Sequence, residues 1–194
     1  INCKKILTGP AVFGTQLEGG KFFEKTSTEE FDEVTNYEFK FDDIEINAEP
    51  FHIGELAQDI AQNFQLSAQK KDINLQTKIP HDIPFVYADI GLIERAIQNL
   101  LGNALRCTNY GGKITLLIAK ANDCVKLSIE DNGCGIDQDD IPYIFDRFYR
   151  TNKKDGGSGL GLAITKRIVE LHGSTIDLKS KLKFQFFQKV NFYF

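Results

Sequence analysis

The sequence contains no Met and no Trp, and the patterns typical of several protein classes are missing as well. No apolar run approaches the roughly 18 residues of a membrane span, so we expect no membrane contact within this chain. No long run of Lys and Arg occurs and the formal net charge is −4, which argues against nucleic-acid binding because phosphate contacts need clustered cations. We therefore expect a cytoplasmic chain, and the missing initiator Met favours a piece of a longer protein. Whether that parent protein is anchored in a membrane stays open.

Closely spaced cysteine pairs are also missing. The four cysteines are Cys3, Cys107, Cys124 and Cys134, and no two of them form a CxxC pair. Free thiols are therefore expected rather than disulfides or a zinc site.

The residues that are present indicate one soluble domain with flanking segments. Apolar residues make up 42% and charged residues 26% of the 194 positions, which is typical of a globular protein of this length. Apolar periodicity predicts helices over about 53–71, 89–108 and 160–171, and strands over about 73–79, 113–120, 124–130 and 176–180. This order predicts an α+β fold, a two-layer α/β sandwich in which a mixed β-sheet packs on about three helices. A long loop precedes the last helix.

The two ends of the chain differ in pattern from the predicted domain. Residues 1–46 form an N-terminal segment with only a candidate strand near Phe39 to Ile46, and residues 184–194 form an aromatic tail. The predicted domain therefore covers residues 47–183.

The first polar motif lies on the predicted second helix. Asn99, Asn103 and Arg106 are spaced i, i+4 and i+7 and share one face. A solvated face is the ordinary explanation, but Asn is a poor helix former and Glu, Lys or Gln would serve better there. A carboxamide oxygen suits Mg²⁺ and a guanidinium suits phosphate.

The second motif, Asp131 to Ile136, follows a strand directly. Asp131 continues the apolar alternation of that strand and is expected to point into the interior, where a carboxylate needs a hydrogen-bond donor. An ordinary turn Asp would bond its own loop amides. The glycines Gly133 and Gly135, which let a flat ligand approach the backbone, favour a purine amino group as the donor.

The third motif, Gly156 to Leu162, opens the last helix. Exposed amides at a helix start bind anions, but Leu162 breaks the dinucleotide-binding pattern and Leu162-Ala163 break the P-loop pattern. By itself, the motif fits a flexible hinge equally well.

Together these motifs resemble the ATP-binding catalytic domain of sensor histidine kinases, which belongs to the GHKL superfamily and has the Bergerat fold. Residues 99–106 are similar to the family's asparagine box, 131–136 to its first glycine box, 144–150 to its phenylalanine box and 157–162 to its second glycine box. The similarity covers about residues 47–181.

The resemblance implies ATP and Mg²⁺ as cofactors and a role for each matching residue. Asn103 is similar to the family's metal ligand, Asn99 and Arg106 to catalytic residues that contact metal and phosphates, and Asp131 to the acceptor for the adenine amino group. The other implied cofactor-binding residues line the pocket or hinge the ATP lid, whose body is residues 137–156; they are Gly133, Gly135, Ile136, Tyr149, Arg150, Gly157, Gly159, Leu160, Gly161 and Leu162.

The implied activity is that of a protein histidine kinase. Such an enzyme transfers the γ-phosphate of Mg-ATP to a histidine on a dimerisation and phosphoacceptor domain, for relay to an aspartate of a response regulator. ATP hydrolysis as a main function is the weaker interpretation, because the gyrase and chaperone branch has a Glu base where this chain has Asn99. None of His52, His81 and His172 is followed by an acceptor-like run, so the acceptor is expected outside this chain.

Two departures from the family keep an alternative open. Cys107 replaces a residue that is usually aromatic, and the final Gly-x-Gly-Thr motif is missing after Ser180. A catalytically inactive nucleotide-binding interaction module of the same fold is therefore the alternative, and an α+β domain without a nucleotide site is a third interpretation.

Overall fold

The computed structural model describes residues 45–121, 124–151 and 158–180, and the backbone of residues 188–193. The helices in these residues are α1 (Ile53–Gln69), α2 (Ile90–Cys107) and α3 (Gly161–Leu171). The strands are β1 (Glu49–Phe51), β2 (Asn74–Lys78), β3 (Val86–Ala88), β4 (Lys113–Ala121), β5 (Cys124–Asp131), β6 (Ile176–Lys179) and β7 (Gln188–Tyr193). Among the described helices, none has the length and apolar composition needed to cross a bilayer. Most of the candidate strand near Phe39 to Ile46 lies outside the described residues.

Five of the strands form one mixed sheet, in the order β2-β4-β5-β7-β6. β2 runs parallel to β4, and the other three neighbouring pairs are antiparallel. β1 and β3 form a separate antiparallel pair. Three helices and a mixed sheet confirm the predicted two-layer α/β sandwich.

The centre of the core forms where β4 and β5 pair as the predicted antiparallel hairpin. Leu116 lies opposite Ile129, and Ile114 lies opposite Asp131 at the end of the ladder. All four of these side chains are buried. Because directly opposed residues of a ladder share one face of the sheet, Asp131 continues the apolar face of β5, as its phase in the sequence predicts.

A network around Asp89 connects the start of α2 with the end of α3. Asp89 is the predicted N-cap: its Oδ1 accepts from the backbone N–H of Leu92 at 3.0 Å, and its Oδ2 accepts from the backbone N–H of Asn47 at 3.0 Å. The N–H of Asp89 donates to Nε2 of His172 at 3.0 Å, and Nδ1 of His172 lies 2.7 Å from the Ile168 carbonyl. His172 is therefore protonated on Nδ1 and holds two helices together.

The end of the chain contributes a strand that the sequence analysis does not predict. The backbone of β7 lies between β5 and β6, with Gln188 opposite Asp131 and Val190 opposite Leu178. This strand pairs along most of its length with both of its neighbours. Residues 184–187 and Phe194 lie outside the described residues.

The cysteines meet the expectation of free thiols only in part. Cys107 and Cys134 are free, but Cys124 is disulfide-bonded, so the expectation is wrong for Cys124. Sequence spacing does not reveal which cysteines meet in the fold. Cys3 lies outside the described residues.

Candidate active site

The polar face of α2 organises the site. Asn99 and Asn103 are half-buried and Arg106 is exposed, whereas the opposite face of the helix is part of the core, with Ile97 and Leu101 fully buried. The polar face therefore stays accessible along the second half of the helix.

The second glycine box meets this face at Asn99. Nδ2 of Asn99 donates to the Gly161 carbonyl at 3.3 Å, and the Thr165 hydroxyl donates to the same carbonyl at 2.9 Å. A Cβ on Gly161 would lie 3.8 Å from the Asn99 side chain. These contacts place the first residue of α3 beside α2. Gly157, which the sequence analysis assigns to the same box, lies outside the described residues.

The first glycine box meets the other end of α2, at Cys107. The N–H of Cys134 donates to the Cys107 carbonyl at 3.1 Å. A Cβ on Gly133 would lie only 2.4 Å from that carbonyl oxygen, a distance at which a side chain cannot fit. The glycine at position 133 is therefore explained by packing of the loop on α2, and not by the close approach of a ligand that the sequence favours.

Asp131 is buried where β5 ends, with a relative exposure of 3%. Its Oδ1 accepts a hydrogen bond from the N–H of Gly133 at 2.9 Å. Burial raises the pKa of Asp131 from 3.8 to about 6, although the Gly133 bond acts in the opposite direction. The loop amide therefore offsets only part of the desolvation of the carboxylate, and a further donor on a ligand would stabilise the charged form.

Ser180 is a site residue that the sequence analysis does not identify. Its hydroxyl accepts a hydrogen bond of 2.7 Å from the N–H of Ile136, and both residues are buried. This bond joins the end of the first glycine box to the residue after β6. No local pattern indicates it, because the two residues are 44 positions apart.

Tyr149 in the phenylalanine box points to Asp140. Its hydroxyl donates to Oδ1 of Asp140 at 2.5 Å, and its ring lies 5.8 Å from that of Tyr143. The hydrogen bond to Asp140 is the main cause that raises the pKa of Tyr149 to about 12. Tyr149 is therefore neutral at physiological pH, and its contact with the cofactor stays a prediction.

The phenylalanine box and the second glycine box also contact each other. The N–H of Phe148 donates to the Gly159 carbonyl at 3.0 Å, and both residues have positive φ, 64° and 70°. A Cβ on Gly159 would lie 2.7 Å from the Phe148 backbone. Arg150 is half-buried in the same segment. The phenylalanine box is therefore held next to the second glycine box just before α3.

Asn103 and Arg106 are hydrogen-bonded to each other on α2. Nη2 of Arg106 donates to Oδ1 of Asn103, so a ligand oxygen and a cation lie side by side. In the part of the chain that the structure describes, no group of three or more His, Cys, Asp or Glu could hold a metal. Mg²⁺ commonly keeps several waters and binds few protein ligands together with substrate phosphates. One carboxamide oxygen fits that mode of binding.

A buried carboxylate, an asparagine-lined helix face and two glycine boxes on an α/β sandwich define an ATP-binding domain of the Bergerat type. The profile of the family described as histidine kinase-, DNA gyrase B-, and HSP90-like ATPase matches residues 88–191. This match covers more than half of the chain, and the chain belongs to this family. The family resemblance seen in the sequence is confirmed.

Individual relatives agree with this assignment. The alginate biosynthesis sensor protein KinB of Pseudomonas aeruginosa is 38% identical over 120 residues, which cover 62% of this chain and 20% of KinB. Full-length ShkA in complex with AMPPNP is 27% identical with a TM-score of 0.69, over 77% of this chain and 31% of that one. The catalytic domain of histidine kinase ThkA is 25% identical with a TM-score of 0.66, over 77% of this chain and 95% of that domain.

The matching region is one part of these relatives. The chain spans between 19% and 39% of the lengths of eight curated sensor proteins that it matches, but it covers nearly all of the ThkA catalytic domain. The shared unit is therefore the catalytic domain.

Proposed function

We propose that this domain binds Mg-ATP along the polar face of α2 and acts as a protein histidine kinase. It transfers the γ-phosphate to a histidine on a separate dimerisation domain, for relay to a response regulator, and it acts in the cytoplasm. One observation carries the proposal: the two glycine boxes contact the same helix, at Asn99 through Gly161 and at Cys107 through Gly133.

The positions of these two contacts predict the orientation of the nucleotide along α2. Asn99 and Cys107 are eight residues apart on α2, which corresponds to about 12 Å along the helix axis. Asp131 lies near the Cys107 end and is the group suited to the adenine amino group. Gly161 opens α3 at the Asn99 end, where unpaired amides and the helix dipole favour phosphate. ATP would therefore lie along α2 with its adenine near the C-terminal end.

The metal belongs between these two ends, and the side chain of Arg106 reaches back from the Cys107 end to Asn103. Asn103 would hold Mg²⁺ through its carboxamide oxygen, and the neighbouring Arg106 would contact a phosphate oxygen. The ion, when bound, neutralises charge on the phosphate oxygens. Transfer then depends mainly on position and charge, because phosphoryl transfer requires little covalent participation by the protein.

Transfer to another protein group is favoured over hydrolysis by the chemistry of Asn99. A carboxamide cannot remove a proton from water, and its Nδ2 already donates to the Gly161 carbonyl. An attacking imidazole needs no base at this position, because a neutral ring nitrogen is itself the nucleophile. The site is therefore better suited to a histidine acceptor than to water.

Two of the three histidines of the chain are poor acceptors. Both ring nitrogens of His172 are in hydrogen bonds with the backbone. The His52 ring packs edge-on against Phe85, with centroids 5.6 Å apart, and its Nδ1 is buried. His81 lies exposed in the connection between β2 and β3. We therefore expect the acceptor to come from a different domain.

The test is incubation with γ-labelled Mg-ATP, with and without a separately purified cognate dimerisation domain. We expect no acid-labile, base-stable phosphate on this chain alone and labelling of the supplied domain. The Asn103→Ala variant is the matched negative control, because it lacks only the proposed metal ligand. Stoichiometric phosphohistidine on the isolated chain would contradict the proposal. Tight ATP binding without labelling of any cognate acceptor would support the inactive interaction module instead.

A further inference from the structure

Two free cysteines, Cys107 and Cys134, are in backbone contact at the proposed adenine end of the site. The backbone N–H of Cys134 donates to the Cys107 carbonyl at 3.1 Å, and the two side chains also interact with each other. Gly133, the residue before Cys134, lies against the same carbonyl, and there is no space for a Cβ at this position. The two cysteines are far apart in the sequence. The backbone contacts of Cys134 and Gly133 with the Cys107 carbonyl therefore hold them next to each other.

The geometry points to a redox modification site: peroxide converts Cys107 and Cys134 into a reversible disulfide, and this disulfide lowers the affinity of the domain for ATP. The oxidant is hydrogen peroxide, and a small dithiol restores the two thiols.

The different environments of the thiols determine the order of the steps. Cys134 is exposed to solvent, whereas Cys107 is partly covered. Burial, followed by the neighbouring Cys134 and Asp131, raises the pKa of Cys107 to about 12, so this thiol is protonated at neutral pH. Since the thiolate is the reactive form, Cys134 is the one that reacts first with peroxide.

The reaction balances with one molecule of peroxide. The Cys134 sulfur attacks one peroxide oxygen, the O–O bond breaks, and the departing hydroxide leaves as water with the Cys134 proton. The Cys107 sulfur then attacks the resulting sulfenic acid, the S–O bond breaks, and the second hydroxide leaves as water with the Cys107 proton. The two sulfurs together lose two electrons, which reduce the peroxide to two molecules of water.

The disulfide affects the site through Gly133. A bond between two sulfurs is shorter than a contact between two thiols, so Cys134 must move toward the end of α2. Gly133 is bonded to Cys134 and must shift with it, away from its present position beside the Cys107 carbonyl, where there is no space for a Cβ. Its N–H, which holds Oδ1 of Asp131 at 2.9 Å, is therefore displaced. This effect on affinity rests on the proposed place of Asp131 at the adenine.

The first measurement detects the bond itself in the full chain. The protein is reduced, treated with hydrogen peroxide, blocked with an alkylating agent and digested with trypsin without reduction. Cleavage after Arg106, Lys113, Lys126 and Arg147 leaves the thiols on peptides 107–113 and 127–147. We expect these two peptides to appear joined, lighter by two hydrogens than their sum, and to separate after dithiol treatment. Their absence at peroxide levels that oxidise Cys134 would overturn the inference.

The second measurement compares AMPPNP affinity of the reduced and oxidised protein by calorimetry with Mg²⁺. We expect oxidation to weaken binding by more than about tenfold, the effect of losing one hydrogen bond to a charged group, and dithiol to restore it. Joined peptides with unchanged affinity would overturn the regulation. Failure of the reduced parent to bind AMPPNP would instead overturn the proposed function, whatever the peptides show.

The variants Cys134→Ser and Cys107→Ser should each lose the response to peroxide. Cys134→Ser is the decisive one, because its side chain is exposed and its backbone bond to Cys107 stays in place, so it should fold. Cys124→Ser is the matched control, because it removes a cysteine other than the two that form the proposed bond, and it should keep the response. A response to peroxide in Cys134→Ser as large as in the parent would overturn the inference.

Discussion

Asn99 on α2 donates a hydrogen bond of 3.3 Å to the carbonyl of Gly161, the first residue of α3. This bond connects the asparagine box to the second glycine box at the proposed phosphate end of the site. We predict that Asn99→Ala lowers the rate of phosphotransfer to a dimerisation domain by about 100-fold, the usual effect of removing one group that positions the reacting charge.

The control for this prediction is Gln98→Ala. Gln98 is the exposed neighbour of Asn99, and its side chain bonds Glu94 on the same helix at 2.8 Å. Its removal should change the rate by no more than about twofold. Similar rates for the two variants would show that Asn99 has no special role.

The second prediction concerns the adenine end. Asp131→Asn keeps an oxygen that can accept from Gly133 but loses the negative charge. We expect ATP affinity, measured by calorimetry, to fall by at least about tenfold, because hydrogen bonds to charged groups contribute about 1.5–3 kcal/mol. Circular dichroism should show an unchanged fold. Retention of parental affinity would remove Asp131 from the adenine site.

The same substitution should stabilise the empty domain at neutral pH. Burial raises the pKa of Asp131 from 3.8 to about 6, so the folded state binds this proton more tightly than the unfolded state. The unfavourable contribution of the charged carboxylate is fully present above pH 6 and is relieved as the pH falls toward 4. Asp131→Asn should therefore raise the free energy of unfolding by up to about 3 kcal/mol at pH 7.

Urea unfolding of parent and variant without nucleotide at pH 7 and pH 4 measures this effect. The difference between the two proteins should shrink to below about 1 kcal/mol at pH 4, where the parent carboxyl is protonated in the folded state. A difference of equal size at both pH values would contradict the assigned cause, because a packing effect does not depend on protonation.

The fourth prediction concerns Asn103. Asn103→Ala should remove the dependence of ATP binding and transfer on Mg²⁺, because it removes the carboxamide oxygen that we assign to the metal. Titration with Mg²⁺ at fixed ATP checks this. Asn63→Ala, at an exposed position on α1, changes the same residue type away from the site and should titrate as the parent does. If the Asn103→Ala curve coincides with that of the parent, the metal is bound elsewhere.

The fifth prediction compares two glycines. A Cβ on Gly133 would lie 2.4 Å from the Cys107 carbonyl oxygen, whereas a Cβ on Gly102 would have nothing within 4 Å. Gly133→Ala should therefore destabilise the domain by about 1–3 kcal/mol. Gly102→Ala, inside α2, should stabilise it by up to about 1 kcal/mol, because Ala is the better helix former. Urea midpoints that move in the same direction would show that the loop does not pack on α2 as described.

Local sequence patterns were sufficient to predict much of the fold and the candidate site residues on α2. The helical spacing of Asn99, Asn103 and Arg106 depends only on the regular geometry of one helix, and the structure places them on one face. The buried position of Asp131 follows from the alternation of a single strand. The fold class follows from the order of such elements, and their identification as boxes of an ATP-binding domain came from the resemblance.

The tertiary structure decided the contacts between distant parts of the chain. The sequence determined which residues could bond, but not that Ser180 accepts from Ile136, that Cys134 meets Cys107, or that β7 lies between β5 and β6. Each contact joins two segments that are distant in the chain. The apolar periodicity of each segment is compatible with many positions relative to the other. Only packing of the sheet against α2 and α3 selects one of them, because burial requires that the polar backbone groups of these segments find partners together.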